Sequence, residues 1–121
     1  MPVRCLIVDD SFPFLESVSR VLERQGLEVV GVASTSEEGL RGVAELKPDV
    51  TLVDVALGEE SGFDLVKQIA SPTILISTSP AEEFESLIDA SPALGFLNKA
   101  HISAGRIRGL MDQKPGHESA A

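Results

Sequence analysis

Two short apolar runs, each stopping at a carboxylate, constrain this chain more than any other feature. Cys5-Leu6-Ile7-Val8 has no polar face and ends at Asp9-Asp10; Val50-Thr51-Leu52-Val53 repeats the design and ends at Asp54. An apolar stretch of that length without alternation suits a strand buried on both faces, and such strands belong to parallel sheets covered by helices. In open α/β sheets the carboxyl ends of the strands are where ligands meet the protein. Taken alone, Asp9-Asp10 would equally suit a solvated loop, since aspartate is mostly a surface residue.

The rest of the chain alternates strand and helix patterns. Ser11 caps a helix that carries Phe14, Leu15, Val18, Val21 and Leu22 on one face, with Pro13 in its first turn and Gly26 at its end. Val29, Val30, Val32 and Ala33 form a second strand. A capping box follows, either Ser34 with Glu37 or Thr35 with Glu38, and the helix behind it presents Leu40, Val43, Ala44 and Leu46 before Lys47-Pro48 closes it. After Asp54, residues 55–60 read as a loop, and Ser61 caps a third helix with Asp64 three residues on. Thr73 to Ile76 form a fourth strand that ends in Ser77-Thr78. Ser79-Pro80-Ala81-Glu82 is the strongest helix start in the chain, with Phe84, Leu87 and Ile88 behind it. Leu94 to Leu97 make a short fifth strand ending at Asn98-Lys99. A last helix carries Ile102, Ile107, Leu110 and Met111, weakened by Gly105 and Gly109 at about 1 kcal/mol each. The expected fold is α/β: a doubly wound five-stranded parallel sheet, strand order 2-1-3-4-5, with helices on both faces. One domain is expected over residues 1–112, with 113–121 as a tail or the start of a linker.

Charge and composition exclude several classes of function. Against 10 Lys plus Arg stand 19 Asp plus Glu, a formal charge of -9, with a pI near 4.6. That field disfavours nucleic acid and an anionic membrane surface as direct partners. No apolar run approaches the ~20 residues of a membrane span, and the opening residues lack the pattern of a secretory signal. The single cysteine, Cys5, lies in the first strand as a small buried hydrophobe. A cytoplasmic location is expected.

Right-handed crossovers bring Asp9, Asp10, Asp54, Ser77 and Lys99 to one edge of the sheet. Three carboxylates there repel one another and favour a cation; an all-oxygen set suits Mg²⁺ rather than zinc or copper. A dinucleotide site would need glycines in the first turn, where Asp9-Asp10-Ser11-Phe12-Pro13 offers none. No nucleophile elbow is present, and the histidines, His101 and His117, form no triad. What remains is a carboxylate able to attack phosphorus, with metal on one side and a hydroxyl and an ammonium on the other.

On these residues the chain resembles the receiver domain of two-component response regulators, over about positions 3 to 111. Val8-Asp9-Asp10 is similar to the family's acidic pair, Asp54 to its phosphoacceptor, Ser77 to its hydroxyl residue and Lys99 to its lysine. Phe96 falls where the family carries a switching aromatic, and Gly62 where it has a glycine opening the third helix. The resemblance implies that Asp54 takes a phosphoryl group from a histidine kinase or phosphotransfer protein, in a domain that catalyses its own phosphorylation and dephosphorylation rather than a conventional enzyme. Mg²⁺ would be held by Asp10, Asp54 and the Ala56 carbonyl, and by Asp9 through water. Ser77 and Phe96 would then move inward. This would remodel the face of the fourth helix, fifth strand and last helix, around Phe84, Leu87, Phe96 and Ile107, for a homodimer or a downstream protein. Gly58 and Ala100 stand where many relatives have proline, leaving a cis Lys99–Ala100 bond open but unfavoured, and Thr78 where some have alanine. Alternatives are a degenerate, phosphorylation-independent interaction domain and the N-terminal fragment of a transcriptional regulator whose DNA-binding domain lies elsewhere. Phe96 as a fixed edge aromatic, His101 as a pH-tuning group, and Arg106 and Arg108 as a solvated face are further readings of single residues.

Overall fold

The computed structural model describes residues 2–113. In chain order the elements are β1 (Arg4–Val8), α1 (Phe12–Arg24), β2 (Glu28–Ala33), α2 (Ser36–Leu46), β3 (Val50–Asp54), β4 (Ala56–Leu57), β5 (Glu60–Ser61), α3 (Gly62–Val66), β6 (Thr73–Ser77), α4 (Glu85–Asp89), β7 (Gly95–Asn98) and α5 (Ala104–Asp112). Five strands form one parallel sheet in the order β2-β1-β3-β6-β7, while β4 and β5 pair as a small antiparallel hairpin. The expected order 2-1-3-4-5 is this sheet, its fourth and fifth members being β6 and β7. The tail lies outside the described residues except Gln113, whose N–H donates to Leu110 O at 3.2 Å.

Continuous apolar runs in β1, β3 and β6 follow from burial on both sides. Cys5, Ile7, Leu52, Ile74 and Ile76 face a core closed by Leu15, Val18 and Leu22 of α1 and Ile107 of α5. The alternate residues Leu6, Val8, Val53 and Leu75 face a second core with Phe63, Leu65 and Val66 of α3 and Leu40 and Val43 of α2. At about 25 cal/mol per Å² of apolar area removed from water, these two layers supply the main favourable term in folding.

Caps fix the helices that frame the site. Ser11 Oγ accepts from Phe14 N–H at 3.4 Å, and Gly26, with φ +96°, carries the chain away from α1 into β2. Of the two candidate boxes, Thr35 with Glu38 forms the cap of α2: Thr35 Oγ1 accepts from Glu38 N–H at 3.1 Å. The Glu38 carboxylate reaches one residue further back, to Ser34 N–H at 2.9 Å and Ser34 Oγ at 3.1 Å. These bonds, the Ser34 backbone first, hold its pKa below the usual value.

Five local expectations are corrected. Ser61 occupies the cap position of α3, but its side chain makes no capping bond. Ser79-Pro80 does not open an α-helix. Ser79 N–H is held by Ser77 Oγ at 3.0 Å in the turn leaving β6, and extended Pro80 leads into a 3₁₀ turn, Ala81–Phe84, before α4. The fifth strand begins at Gly95, and Ile102 precedes α5, whose cap is Ser103. Ile107 is fully buried in the first core, on the face of the sheet opposite Phe84 and Phe96, and so is not part of the surface expected around them. No cis peptide occurs among the described residues, so Lys99–Ala100 is trans. No helix among them is long and apolar enough to cross a membrane.

Cys5 has no exposed surface, and burial pushes its thiol up to about 12, against a smaller opposing hydrogen bond to the Leu52 backbone. Native protein at pH 8 should therefore resist iodoacetamide under conditions that fully alkylate the urea-unfolded chain. The raised folded value also gives the sign of the pH effect. The stabilisation is complete below the unfolded thiol pKa of about 8.5 and is lost as pH rises towards about 12. Ready alkylation of folded protein would contradict this packing.

Candidate functional site at the carboxyl edge of the sheet

Strand register assembles the site. Val8 lies opposite Val53, so the next residues, Asp9 and Asp54, leave neighbouring strands at the same level. Ser77 pairs with Asn98, which places Lys99 one residue beyond the edge. Carboxylate oxygens of Asp9, Asp10 and Asp54 lie within 4.8 Å of one another. Asp9 is fully buried, Asp54 is 7% exposed and Asp10 faces solvent.

Each group has a defined partner. Asp9 Oδ1 accepts from Ser11 N–H at 2.8 Å, and Asp54 Oδ1 from Ala56 N–H at 3.1 Å. Lys99 Nζ is shared, 2.5 Å from Asp9 Oδ2 and 3.0 Å from Asp54 Oδ2. The Asp54 contact is an aligned hydrogen bond, whereas Asp9 Oδ2 is close in charge but without an aligned donor. Burial pushes the Asp54 carboxyl above the usual carboxylate range, and the Asp9 charge adds to this; the Ala56 N–H and Lys99 pull the other way without overcoming it. Burial disfavours the Lys99 ammonium, but its close contacts with the Asp9 and Asp54 carboxylates and their charge outweigh that and raise its pKa. Ser77 is 5% exposed and its Oγ accepts from Ser79 N–H, leaving its own O–H free to donate. Phe96 is half-buried on β7, its ring 6.2 Å from that of Phe84, which in turn lies 5.7 Å from Phe63.

The donor set is entirely carboxylate oxygen, three acids against the one ammonium of Lys99 beside them. That fits a hard dication such as Mg²⁺.

Sequence reasoning missed four features. Residues 56–61 form a hairpin, with Gly58 at φ +62° placing its turn beside Asp10. Glu60 Oε1 accepts from Ser36 N–H at 2.9 Å and ties that hairpin to the start of α2. Gly62 lies so close to the Asp54 carbonyl that a Cβ would sit 1.9 Å from it. The Phe14 ring lies under Lys99, its centroid 4.4 Å from Nζ. A glycine at the start of a helix, beside Ser61, was the one local hint, for Gly62; the other contacts join distant parts of the chain.

Fold and site together define a doubly wound α/β domain whose acidic edge is paired with a single lysine. The chain belongs to the response regulator receiver domain family, whose model matches residues 5–107. It is 37% identical over 97 residues to protein-glutamate methylesterase/protein-glutamine glutaminase 5 of Myxococcus xanthus (strain DK1622), covering 76% of this chain and 28% of that protein. The chain thus spans under a third of such relatives. The crystal structure of the response regulator domain of Thermotoga maritima CheB matches with TM-score 0.73 and 27% identity over 95% of this chain and all of that one. A LuxR-family two-component response regulator from Aurantimonas sp. SI85-9A1 shares the fold, with TM-score 0.83 and 21% identity over 98% of this chain and 94% of that one.

Proposed function

We propose that this domain accepts a phosphoryl group on Asp54 from a histidine kinase or phosphotransfer protein, in a two-component phosphorelay. The observation that carries the reading is the Lys99 ammonium shared between Asp9 and Asp54, within a cluster of three carboxylates. An Asp54 carboxylate oxygen forms a bond to phosphorus as the phosphorus–nitrogen bond of the donor breaks, and the imidazole leaves with the electron pair. Asp10, Asp54 and the Ala56 carbonyl would hold Mg²⁺, with Asp9 acting through water. The bound ion supplies positive charge that offsets the carboxylates and the phosphoryl oxygens. Lys99 pairs with one phosphoryl oxygen and the Ser77 hydroxyl donates to another. Closure of Ser77 would let Phe96 repack against Phe84 and alter the face of α4, β7 and α5, through which a second copy or a downstream protein would be engaged.

Incubation with Mg²⁺ and phosphoramidate should add one phosphoryl group by intact mass, and Asp54→Ala should abolish it; unchanged labelling of the variant would sink the assignment. Metal titration separates the acids. Asp10→Asn should lose most Mg²⁺ affinity, about tenfold or more, while Asp9→Asn should lose less because its role is indirect. Undiminished binding in both variants would reject the metal site.

A further inference from the structure

We propose that Phe14 is a positioning residue for Lys99, holding the ammonium where it can meet a phosphoryl group on Asp54. The proposal rests on the phosphoacceptor reading of Asp54. It starts from the surroundings of one nitrogen. Lys99 Nζ has Asp9 Oδ2 at 2.5 Å, Asp54 Oδ2 at 3.0 Å and the Phe14 ring centroid at 4.4 Å, within the range of a cation–π contact. The side chain is only 13% exposed.

Both ends of this contact are built. The ring is set by the start of α1, where Ser11 Oγ accepts from Phe14 N–H while Ser11 N–H donates to Asp9 Oδ1, so one cap orients an acid and the aromatic together. Lys99 opens a 3₁₀ turn capped by Asn98, whose Oδ1 accepts from Ala100 N–H at 2.9 Å. The Phe14 ring also packs against the first core, which limits its own freedom.

The chemistry gives the ring a task that the carboxylates cannot perform. A lysine stem has four rotatable bonds, and ordering it costs as much as any side chain does. Two carboxylates hold the ammonium by charge. The π face of Phe14 restrains it without adding a negative charge to a site that already holds three carboxylates. It is also the weakest of the partners, so it yields most readily when Nζ turns towards a phosphoryl oxygen.

Phe14, Lys99, Val21, Ala100 and Ile102 border a shallow groove of about 350 Å³. Val21 shares that groove and serves as the control for its shape. The variants are Phe14→Leu, which keeps apolar bulk without a ring, Phe14→Tyr, which keeps the ring, and Val21→Ala. Two readouts are taken on the full chain: proton shifts of the Lys99 Cε methylene, and the rate of phosphorylation by phosphoramidate with Mg²⁺.

In the unmodified protein the methylene protons should be displaced by the ring current relative to exposed lysines. Phe14→Leu should lose that displacement and react about threefold to tenfold more slowly, with Phe14→Tyr and Val21→Ala close to the parent. A parent without the displacement overturns the proposal even if Phe14→Leu fails to fold. So does a Phe14→Leu rate equal to the parent's, or a Phe14→Tyr rate as low as that of Phe14→Leu. A parent that shows the displacement yet takes no phosphoryl group removes the phosphoacceptor reading, and this role of Phe14 with it; the shift tells the two failures apart.

Discussion

Gly62→Ala is expected to lower stability by about 3 kcal/mol or more, a far larger loss than replacing a glycine at a helix start usually brings. The added Cβ would lie 1.9 Å from the Asp54 carbonyl oxygen, 2.7 Å from its carbon and 2.9 Å from Val55 Cα. All three are backbone atoms, and no side-chain rotation relieves the overlap. Gly62 N–H also donates to Val55 O at 2.9 Å, so α3 cannot draw back without giving up a hydrogen bond. Strain would fall on the end of β3, which presents Asp54. Gly58→Ala is the contrast: its φ of +62° makes alanine unfavourable by only about 1 to 2 kcal/mol, and its Cβ would meet Asp10 Oδ2 at an ordinary 3.7 Å. Denaturant midpoints for the two variants decide the matter, and a Gly62→Ala midpoint at or above that of Gly58→Ala would contradict the close approach.

Lys99→Met keeps the apolar stem and removes the charge that separates Asp9 from Asp54. With Asp9 fully buried, the loss leaves carboxylates facing one another in low dielectric, and stability should drop by about 2 to 4 kcal/mol at neutral pH in EDTA. The pH dependence has a definite sign. The Asp54 carboxyl already lies above its ordinary value and would rise further. A group whose folded pKa is raised stabilises below its unfolded pKa and loses that contribution as pH rises. The penalty should therefore be largest at neutral pH, shrink towards pH 4, and be partly offset by Mg²⁺. An unchanged midpoint at neutral pH without Mg²⁺ would show that the shared ammonium contributes nothing.

The parts of the fold legible in sequence were those where local pattern and tertiary burial agree. β1, β3 and β6 are buried on both faces, so their apolar runs are nearly continuous, with only Thr51 and Thr73 among them, and their acids and hydroxyl mark the edge. Ser11 and Thr35 act through contacts three residues away, which a sequence displays directly. The start of α4 was misread because the Ser79-Pro80 signal is local, while the Ser79 N–H is claimed by Ser77 of the preceding strand. Two-residue strands such as β4 and β5 carry no periodicity to read. In α5 the glycines at 105 and 109 leave too few apolar positions to say which side of the helix is buried, and Ile107 was placed on the wrong surface. The acids and the lysine of the candidate site stand out in the sequence because each lies at or just past the end of a strand. Phe14, which lies 85 positions before Lys99, meets it only in the folded chain.

The account turns on which carboxylate carries the phosphoryl group. An acyl phosphate is reduced by borohydride to an alcohol, so a phosphorylated aspartate becomes homoserine and marks its own position. After reaction with phosphoramidate and Mg²⁺, reduction and peptide sequencing by mass spectrometry should place homoserine at position 54, in the segment that follows Val53. Homoserine at position 9 or 10, or none in a sample whose intact mass shows the phosphoryl group, would contradict it.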